Sequence, residues 1–251
     1  ILGNASPTAF YYDSNGNSVL DSGEEIGVTG GVITFNNSKI VSMKNEIRND
    51  GNSTLYYVVL HEIGHVLGIG VWWNHFNFVT DYTNFNNVTK KYYNGTNALR
   101  EYRNYMQNQT LTGIPIEDDG GEGTKDSHAE EGNNIRKIDG QIHGGLNKEL
   151  MTGYADDTPD ILPLSRITIG MLEDLGFTVN YLEADDYLGF SSSFFESNLI
   201  SENLVCFLEG TRLLVLDENL YRGDNWKKEE WWVKDNIALI VKINDSYNSK
   251  E

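Results

Sequence analysis

The sequence lacks the features of several protein classes. Cys206 is its single cysteine, so an internal disulfide framework is excluded, and the cysteine count leaves the redox compartment open. No apolar run reaches the length of about 18 residues that a membrane-spanning helix needs. Basic residues are also few, with 19 Lys and Arg against 37 Asp and Glu and a formal net charge of −18. Such a charge repels nucleic-acid phosphates and anionic membrane surfaces, so neither is an expected partner.

The composition that remains is that of a globular protein. The 251 residues are 39% hydrophobic and 12% aromatic, which is enough to bury a sizeable core in one large domain or in a domain with an appendage. The first residues lack the charged and apolar regions of a signal peptide. Because the chain begins inside a predicted strand, a signal or pro-segment further upstream is compatible with this sequence.

Residues 61–65 carry the motif H-E-x-x-H, in which the residue types, their spacing and the predicted helix all indicate metal binding. Residues four apart lie on one face of a helix, so His61 and His65 can direct imidazole nitrogens to one metal ion. A catalytic zinc ion takes three protein ligands and keeps a fourth position for water, whose pKa it lowers to about 7. Glu62 is then the base that takes the proton of this water. With only five histidines in the chain, we favour this interpretation over a chance motif.

The flanking residues predict the helix that the motif requires. Asn52, Ser53 and Thr54 offer N-cap oxygens, and Gly68 and Gly70 tolerate the left-handed backbone with which a helix ends. We therefore expect a helix that begins near residue 53 and stops near residue 68. Its apolar face has the three-to-four spacing of an amphipathic or buried helix, with Leu55, Val58, Val59, Ile63, Val66 and Leu67.

The third metal ligand must come from elsewhere in the chain. In the compact pattern H-E-x-x-H-x-x-G-x-x-H it would stand at position 71, which is Val71. Two histidines further along are candidates: His128 ends a Gly-Thr-Lys-Asp-Ser-His segment, and His143 lies shortly before Met151. Both cannot be ligands if a tetrahedral site is to keep an open water position.

These motifs together resemble the leishmanolysin-type branch of the metzincins, over roughly residues 26 to 185. In that family a long insertion separates the zinc helix from a Gly-Thr-x-x-Ser-His-Trp segment, and a Glu-Leu-Met-Thr-Gly segment, the Met-turn, follows. The resemblance implies that His128 is the third zinc ligand and that Met151 is the methionine under the metal. The chain departs from the family at Ala129, which replaces the tryptophan, and at residues 133–145, which look like an insertion.

His143 stays the rival third ligand because of its closeness to Met151. The Thr-Lys-Asp-Ser-His context of His128 is specific, whereas residues 142–145 are typical of an ordinary turn, so we favour His128. Tyr154 stands three residues after Met151, while some metzincins place a transition-state tyrosine two residues after this methionine. We interpret Tyr154 as a packed or cleft-lining residue.

The resemblance also implies a fold and a function. The expected fold is a mixed α/β (α+β) metzincin-like domain with an active-site cleft. The expected activity is that of a zinc endopeptidase that hydrolyses peptide bonds in protein or peptide substrates. We expect it to be a monomer that is secreted or extracellular.

Residues 13–24 resemble a calcium-binding loop. Oxygen ligands recur at positions 1, 3, 5 and 9, and a glutamate at position 12 can bind calcium through both oxygens. These residues are Asp13, Asn15, Asn17, Asp21 and Glu24. Ser18 replaces the usual glycine at position 6, and no flanking helix pair is evident, so a plain Asn- and Gly-rich turn is an equal alternative.

Periodicity and capping residues predict the other main elements. These are strands over residues 1–10 and 28–35 and helices over residues 97–106 and 165–175. Gly30 and Gly31 indicate a bulge or a close approach of the backbone in the second strand. Ser165 and Gly176 are the expected cap and end of the last helix. Apart from its helix, region 71–127 is expected to form loops and lid elements of the site.

The composition changes near residue 187. We expect residues 1–187 to form the catalytic domain and residues 188–251 to form a C-terminal extension. The segment that begins Cys-Phe-Leu-Glu-Gly at Cys206 resembles the opening of a Hint self-processing domain, in which a cysteine attacks the preceding carbonyl. Only 45 residues follow Cys206, and the later motifs of such a domain are missing. We therefore favour a buried structural cysteine in a small β extension.

Two further function classes stay open. One is a calcium-binding or adhesive surface module with a decayed protease site, against which the intact H-E-x-x-H motif and His128 argue. The other is a fragment of a self-processing precursor, in which Cys206 would be the nucleophile.

Overall fold

The computed structural model describes residues 2–11, 14–17, 26–83, 88–132, 136–138, 141–187 and 238–244. Asp13, Asp21 and Glu24 of the predicted calcium loop lie outside the described residues, and so does Cys206. No helix in the described ranges is long and apolar enough to cross a membrane.

The fold is mixed α/β, as the sequence predicts. In chain order the strands and helices are β1 (Gly3–Tyr11), β2 (Ile26–Asn36), α1 (Asn37–Asn45), α2 (Thr54–Val66), β3 (Val79–Thr83), β4 (Thr89–Tyr93), α3 (Thr96–Tyr105), β5 (Ile114–Pro115), β6 (Arg136–Ile138), β7 (Gln141–His143), α4 (Arg166–Asp174) and β8 (Ala238–Asn244). A single 3₁₀ turn, Tyr181–Glu183, follows α4. The strands form one sheet in the order β1-β2-β8, a second in the order β3-β4-β5, and the two-stranded ladder β6-β7.

The first sheet pairs β1 with β2 antiparallel and β2 with β8 parallel. The β1–β2 register shifts between Thr8 and Ala9, so β2 carries an extra residue just before Gly30. A Cβ atom on Gly31 would lie only 2.5 Å from the side chain of Val66 in α2. Of the two alternatives predicted for Gly30 and Gly31, the close backbone approach is confirmed at Gly31, and a bulge lies directly beside Gly30 at Thr29.

Helix α2 lies between two apolar cores. Its N-cap is Ser53, whose hydroxyl accepts a hydrogen bond from the Tyr56 N–H (3.2 Å), and Gly68 follows its last turn with a φ of +111°. One core joins α2 to the first sheet, and the larger core joins it to α3, α4 and the second sheet. The first core contains Ile33, Phe35, Met43, Val58 and Val66. The predicted helix is confirmed, and packing on both sides makes it a rigid support.

Region 71–127 is predicted to form loops and lid elements apart from its helix, but it also contains β3, β4 and β5, which form a sheet that was not predicted. Tyr93 of β4 is fully buried, and its ring lies 5.0 Å from that of Trp73. Aromatic packing from a distant segment thus stabilises strands that are too short and polar to be recognised from periodicity. Helix α1 was also not predicted, and part of the predicted insertion, residues 133–145, forms the ladder β6-β7.

Helices α3 and α4, both predicted, pack closely against each other. A Cβ atom on Gly170 would lie 2.6 Å from the Ala98 Cα, so the glycine permits the close approach. Helix α3 has Gly95 at its N-cap and no capping side chain of its own. Asp174 of α4 fills this role, because its carboxylate accepts hydrogen bonds from the Asn97 (2.8 Å) and Ala98 (3.1 Å) N–H groups.

The division into a catalytic domain (1–187) and a C-terminal extension (188–251) stays a prediction. Within the extension the structure describes β8, which continues the first sheet beside β2.

Candidate active site

Three histidines from two distant segments meet at one point. Helix α2 carries His61 and His65 one turn apart, and the loop after β5 carries His128. Their Nε2 atoms are 3.0 Å (His61 to His65), 3.0 Å (His61 to His128) and 2.9 Å (His65 to His128) apart. His65 and His128 are buried and His61 is partly buried, so the cluster does not lie on an open surface.

The other ring nitrogen of each histidine, Nδ1, contacts a backbone carbonyl oxygen. The acceptors are Leu150 for His61 (2.7 Å), Ile69 for His65 (2.9 Å) and Thr124 for His128 (2.7 Å). A carbonyl oxygen can only accept, so each Nδ1 carries the proton, and each Nε2 of the neutral rings carries a lone pair. Three such lone pairs cannot hydrogen-bond to one another. Their convergence forms a ligand set that could hold a metal ion.

Burial keeps these rings neutral. It lowers the pKa of His61 well below its ordinary value, and the charges that His65 and His128 would carry lower it further. Burial also lowers the pKa of His65, and it lowers that of His128 to about 3. A neutral imidazole is the form that binds a metal, so the site is ready for an ion without first losing protons.

The donor set and its geometry fit zinc. Nitrogen ligands about 2.0–2.1 Å from a tetrahedral zinc ion lie about 3.3 Å from one another, close to the separations between these Nε2 atoms. Three histidines also form the ligand set of catalytic zinc sites that keep a fourth position open for water.

Glu62 follows His61 on α2 and is almost completely buried, with 4% of its surface exposed. Among the described residues its Oε2 atom has no hydrogen-bond partner. Burial raises the pKa of Glu62 to about 8. A buried carboxyl oxygen without a partner is unfavourable, so it indicates a group that the protein alone does not supply.

The loop that carries His128 is held against the segment that follows α2. Gly70 has a φ of +76°, and a Cβ atom there would lie 2.1 Å from the Ser127 carbonyl oxygen. Only glycine fits at this crossing. On the other side of the loop, the Glu117 N–H donates to the His128 carbonyl (3.0 Å). The position of His128 thus depends on backbone contacts with both flanking segments.

Met151 packs against α2 at Gly64. It is 1% exposed, and a Cβ atom on Gly64 would lie 2.5 Å from its sulfur. The Met151 carbonyl accepts a hydrogen bond from the Ala129 N–H (3.2 Å), which joins this turn to the segment of His128. Ala129, which stands where the leishmanolysin pattern has tryptophan, is itself buried.

The remaining sequence candidates lie apart from the three-histidine cluster. His143 is buried at the end of β7, where its Nδ1 atom is 2.8 Å from the Gly113 carbonyl oxygen and its ring packs against Tyr92. Tyr154 is 44% exposed, so it is not packed in the core, and its hydroxyl donates to Asp119 (2.8 Å). Its interpretation as a cleft-lining residue stays a prediction.

Two buried carboxylates near the site were not singled out from the sequence. The oxygens of Glu117 accept the N–H groups of Asp118 (3.0 Å), Asp119 (3.0 Å) and Glu131 (3.2 Å), which shapes the segment leading to His128. Glu149 is fully buried before Met151. Its place in a Glu-Leu-Met-Thr-Gly segment was the only available signal, since burial of a carboxylate depends on the tertiary structure.

Comparison with protein-family models gives a match to this chain. The family model described as leishmanolysin matches residues 19–203, which is more than half of the chain and includes the H-E-x-x-H helix, His128 and Met151. No curated protein matches the chain.

Proposed function

Because the chain belongs to the leishmanolysin family of metallopeptidases, we propose that it is a zinc-dependent endopeptidase that acts on proteins or peptides. The observation that carries the proposal is the convergence of three histidine Nε2 atoms within 2.9 to 3.0 Å of one another. No hydrogen bond among neutral rings accounts for this arrangement, and a zinc ion does.

In this mechanism His61, His65 and His128 hold the ion through Nε2. The ion, when bound, polarises the scissile carbonyl and lowers the pKa of a water molecule. The carbonyl oxygens that accept from each Nδ1–H fix the ring orientations, as outer-shell partners of metal-bound histidines do.

Glu62 is the proposed general base. It takes a proton from the attacking water and returns it to the leaving amine. Its Oε2 atom has no competing partner among the described residues, which supports this role. Burial favours the protonated form of Glu62, whereas a nearby cation favours the carboxylate, so a bound ion would shift the residue towards the form that accepts a proton.

Metal analysis combined with a proteolysis assay tests the proposal. We expect one zinc ion per chain and hydrolysis of casein or gelatin that is lost when a chelator removes the metal. One equivalent of zinc should restore the activity, and calcium should not, because calcium prefers oxygen ligands over histidine nitrogens. Metal-free protein with full turnover would refute the proposal.

The predicted calcium loop is proposed as a second, structural metal site. Its support is the sequence spacing of Asp13, Asn15, Asn17, Asp21 and Glu24. Of these, Asn15 and Asn17 are described and exposed, and the Asn15 side-chain oxygen accepts the Asn17 N–H (3.0 Å).

Millimolar calcium should raise the melting temperature of the protein, because an ion that binds only the folded state stabilises it. Hydrolysis by the zinc-loaded enzyme should not require calcium. Differential scanning calorimetry with and without calcium measures the effect, and Glu24→Gln, which removes a charged ligand, should abolish it. If the wild type has the same melting temperature with and without calcium, the prediction that residues 13–24 bind calcium is wrong.

The resemblance to the family also supports a proposed extracellular location, and the monomeric state stays a prediction. The self-processing alternative depends on Cys206, which lies outside the described residues, and it stays a prediction. Intact-mass measurement after incubation tests it.

A further inference from the structure

Glu149 is a fully buried carboxylate that accepts four hydrogen bonds. One oxygen, Oε1, accepts from the Ser165 N–H (3.0 Å), the Ser165 hydroxyl (2.8 Å) and the Thr168 hydroxyl (2.6 Å) at the start of α4. The other oxygen, Oε2, accepts from the Met151 N–H (2.6 Å). The Ser165 hydroxyl itself accepts from the N–H groups of Ile167 and Thr168, so its proton is directed to Glu149.

The Met151 N–H belongs to the same peptide group as the Leu150 carbonyl. That carbonyl is the acceptor for the Nδ1–H of His61, at 2.7 Å. One planar peptide group therefore lies between the Glu149 carboxylate and the His61 ring. Burial raises the pKa of Glu149, and the hydrogen bonds from Thr168, Met151 and Ser165 act in the opposite direction by stabilising the ionised carboxylate. Because the peptide is conjugated, a carboxylate acceptor at its N–H increases the electron density on its oxygen, which strengthens the second hydrogen bond.

We propose that Glu149 is a positioning residue for the metal site, which holds and polarises the His61 ring through the Leu150–Met151 peptide group. The inference rests on the proposed zinc site. Histidine ligands of zinc commonly donate their second N–H directly to a carboxylate, which orients the ring and makes it a stronger ligand. Here the peptide group transmits that effect from a carboxylate that does not touch the ring.

The carbonyl that orients His128 has a different environment. It belongs to the peptide group between Thr124 and Lys125, whose N–H donates to the uncharged Gly121 carbonyl (3.0 Å). The charged support at His61 is therefore not a general feature of the three histidines.

Glu149→Gln tests the proposal. Glutamine keeps the size of the side chain, but its amide nitrogen can only donate, so it cannot accept from the hydroxyls and N–H of α4 and from Met151 together. The matched control is Thr168→Val, which removes one donor to Oε1 and leaves the contact between Oε2 and Met151 in place. Both variants disturb the same buried cluster, and only the first breaks the connection to His61.

Zinc affinity, measured by competition with a chromophoric chelator, is the main readout, with thermal unfolding recorded beside it. We expect Glu149→Gln to weaken zinc binding about tenfold or more, in the range found for outer-shell partners. Thr168→Val should lower the melting temperature but keep the wild-type zinc affinity. Wild-type affinity in Glu149→Gln, or an equal loss in both variants, overturns the proposal.

NMR of the metal-free wild type provides a test that needs neither a folded variant nor bound zinc. The His61 ring should carry its proton on Nδ1, and the Met151 amide proton should exchange slowly with solvent. A ring protonated on Nε2, or a rapidly exchanging Met151 amide, would overturn the inference. Failure of the wild type to bind zinc would instead refute the proposed function, so the two failures are distinguishable.

Discussion

Glu62→Gln is expected to keep the zinc content of the wild type while turnover falls by about 10²- to 10⁴-fold, the usual contribution of general acid–base catalysis. Glutamine has nearly the same shape but cannot take a proton from water. The three histidine rings are oriented by the carbonyl oxygens of Leu150, Ile69 and Thr124, none of which depends on Glu62. The metal site should therefore survive the substitution.

Zinc content by mass spectrometry and initial rates on gelatin measure these two properties on the same sample. Glu46→Gln, an exposed glutamate after α1, is the matched control and should leave both unchanged. Near-wild-type turnover in zinc-loaded Glu62→Gln would exclude Glu62 as the base. A loss of zinc together with activity would show that Glu62 supports the zinc ligands and does not act only as the base for water.

His128→Ala should abolish tight zinc binding, and His143→Ala should not. His128 is one of three ligands in the proposed site, so its removal should weaken affinity by more than the roughly 100-fold that outer-shell changes reach. His143 lies in β7 with its ring nitrogen directed to the Gly113 carbonyl, and it does not take part in the cluster. The two variants therefore test which of the two candidate histidines is the third zinc ligand.

The two variants should lose similar amounts of stability, because both histidines are buried and each substitution removes a hydrogen bond to a carbonyl oxygen. Such a loss costs about 1–3 kcal/mol when the partner stays buried. Zinc titration of both proteins, with circular dichroism to verify folding, is the measurement. Tight binding in His128→Ala and its loss in His143→Ala would reverse the assignment.

Several elements of this protein are determined by residues close together in the chain. The periodicity of apolar residues, the Ser53 cap and Gly68 predict α2, and with it the common face of His61 and His65. The Ser165 cap predicts α4 in the same way. These signals extend over one or two helical turns, so the local sequence is sufficient to read them.

The tertiary structure decided what depends on distant partners. His128 is 63 residues from His65, and it reaches the cluster because Gly70 lets the Ser127 backbone pass at a distance that no side chain permits. The strands β3 to β5 were not predicted because their own sequences show little strand periodicity. The buried contact of Tyr93 with Trp73, which stabilises them, depends on the tertiary structure.

Glu149 shows the same dependence on tertiary contacts. Its Oε1 atom accepts a hydrogen bond from the hydroxyl of Thr168, 19 residues away. Its Oε2 atom accepts one from the N–H of the peptide group that orients His61. In the sequence it is one of 37 acidic residues. Its proposed role in positioning His61 depends on burial and hydrogen bonding. Both arise only when separate segments pack together, because a carboxylate is removed from water only inside a folded core.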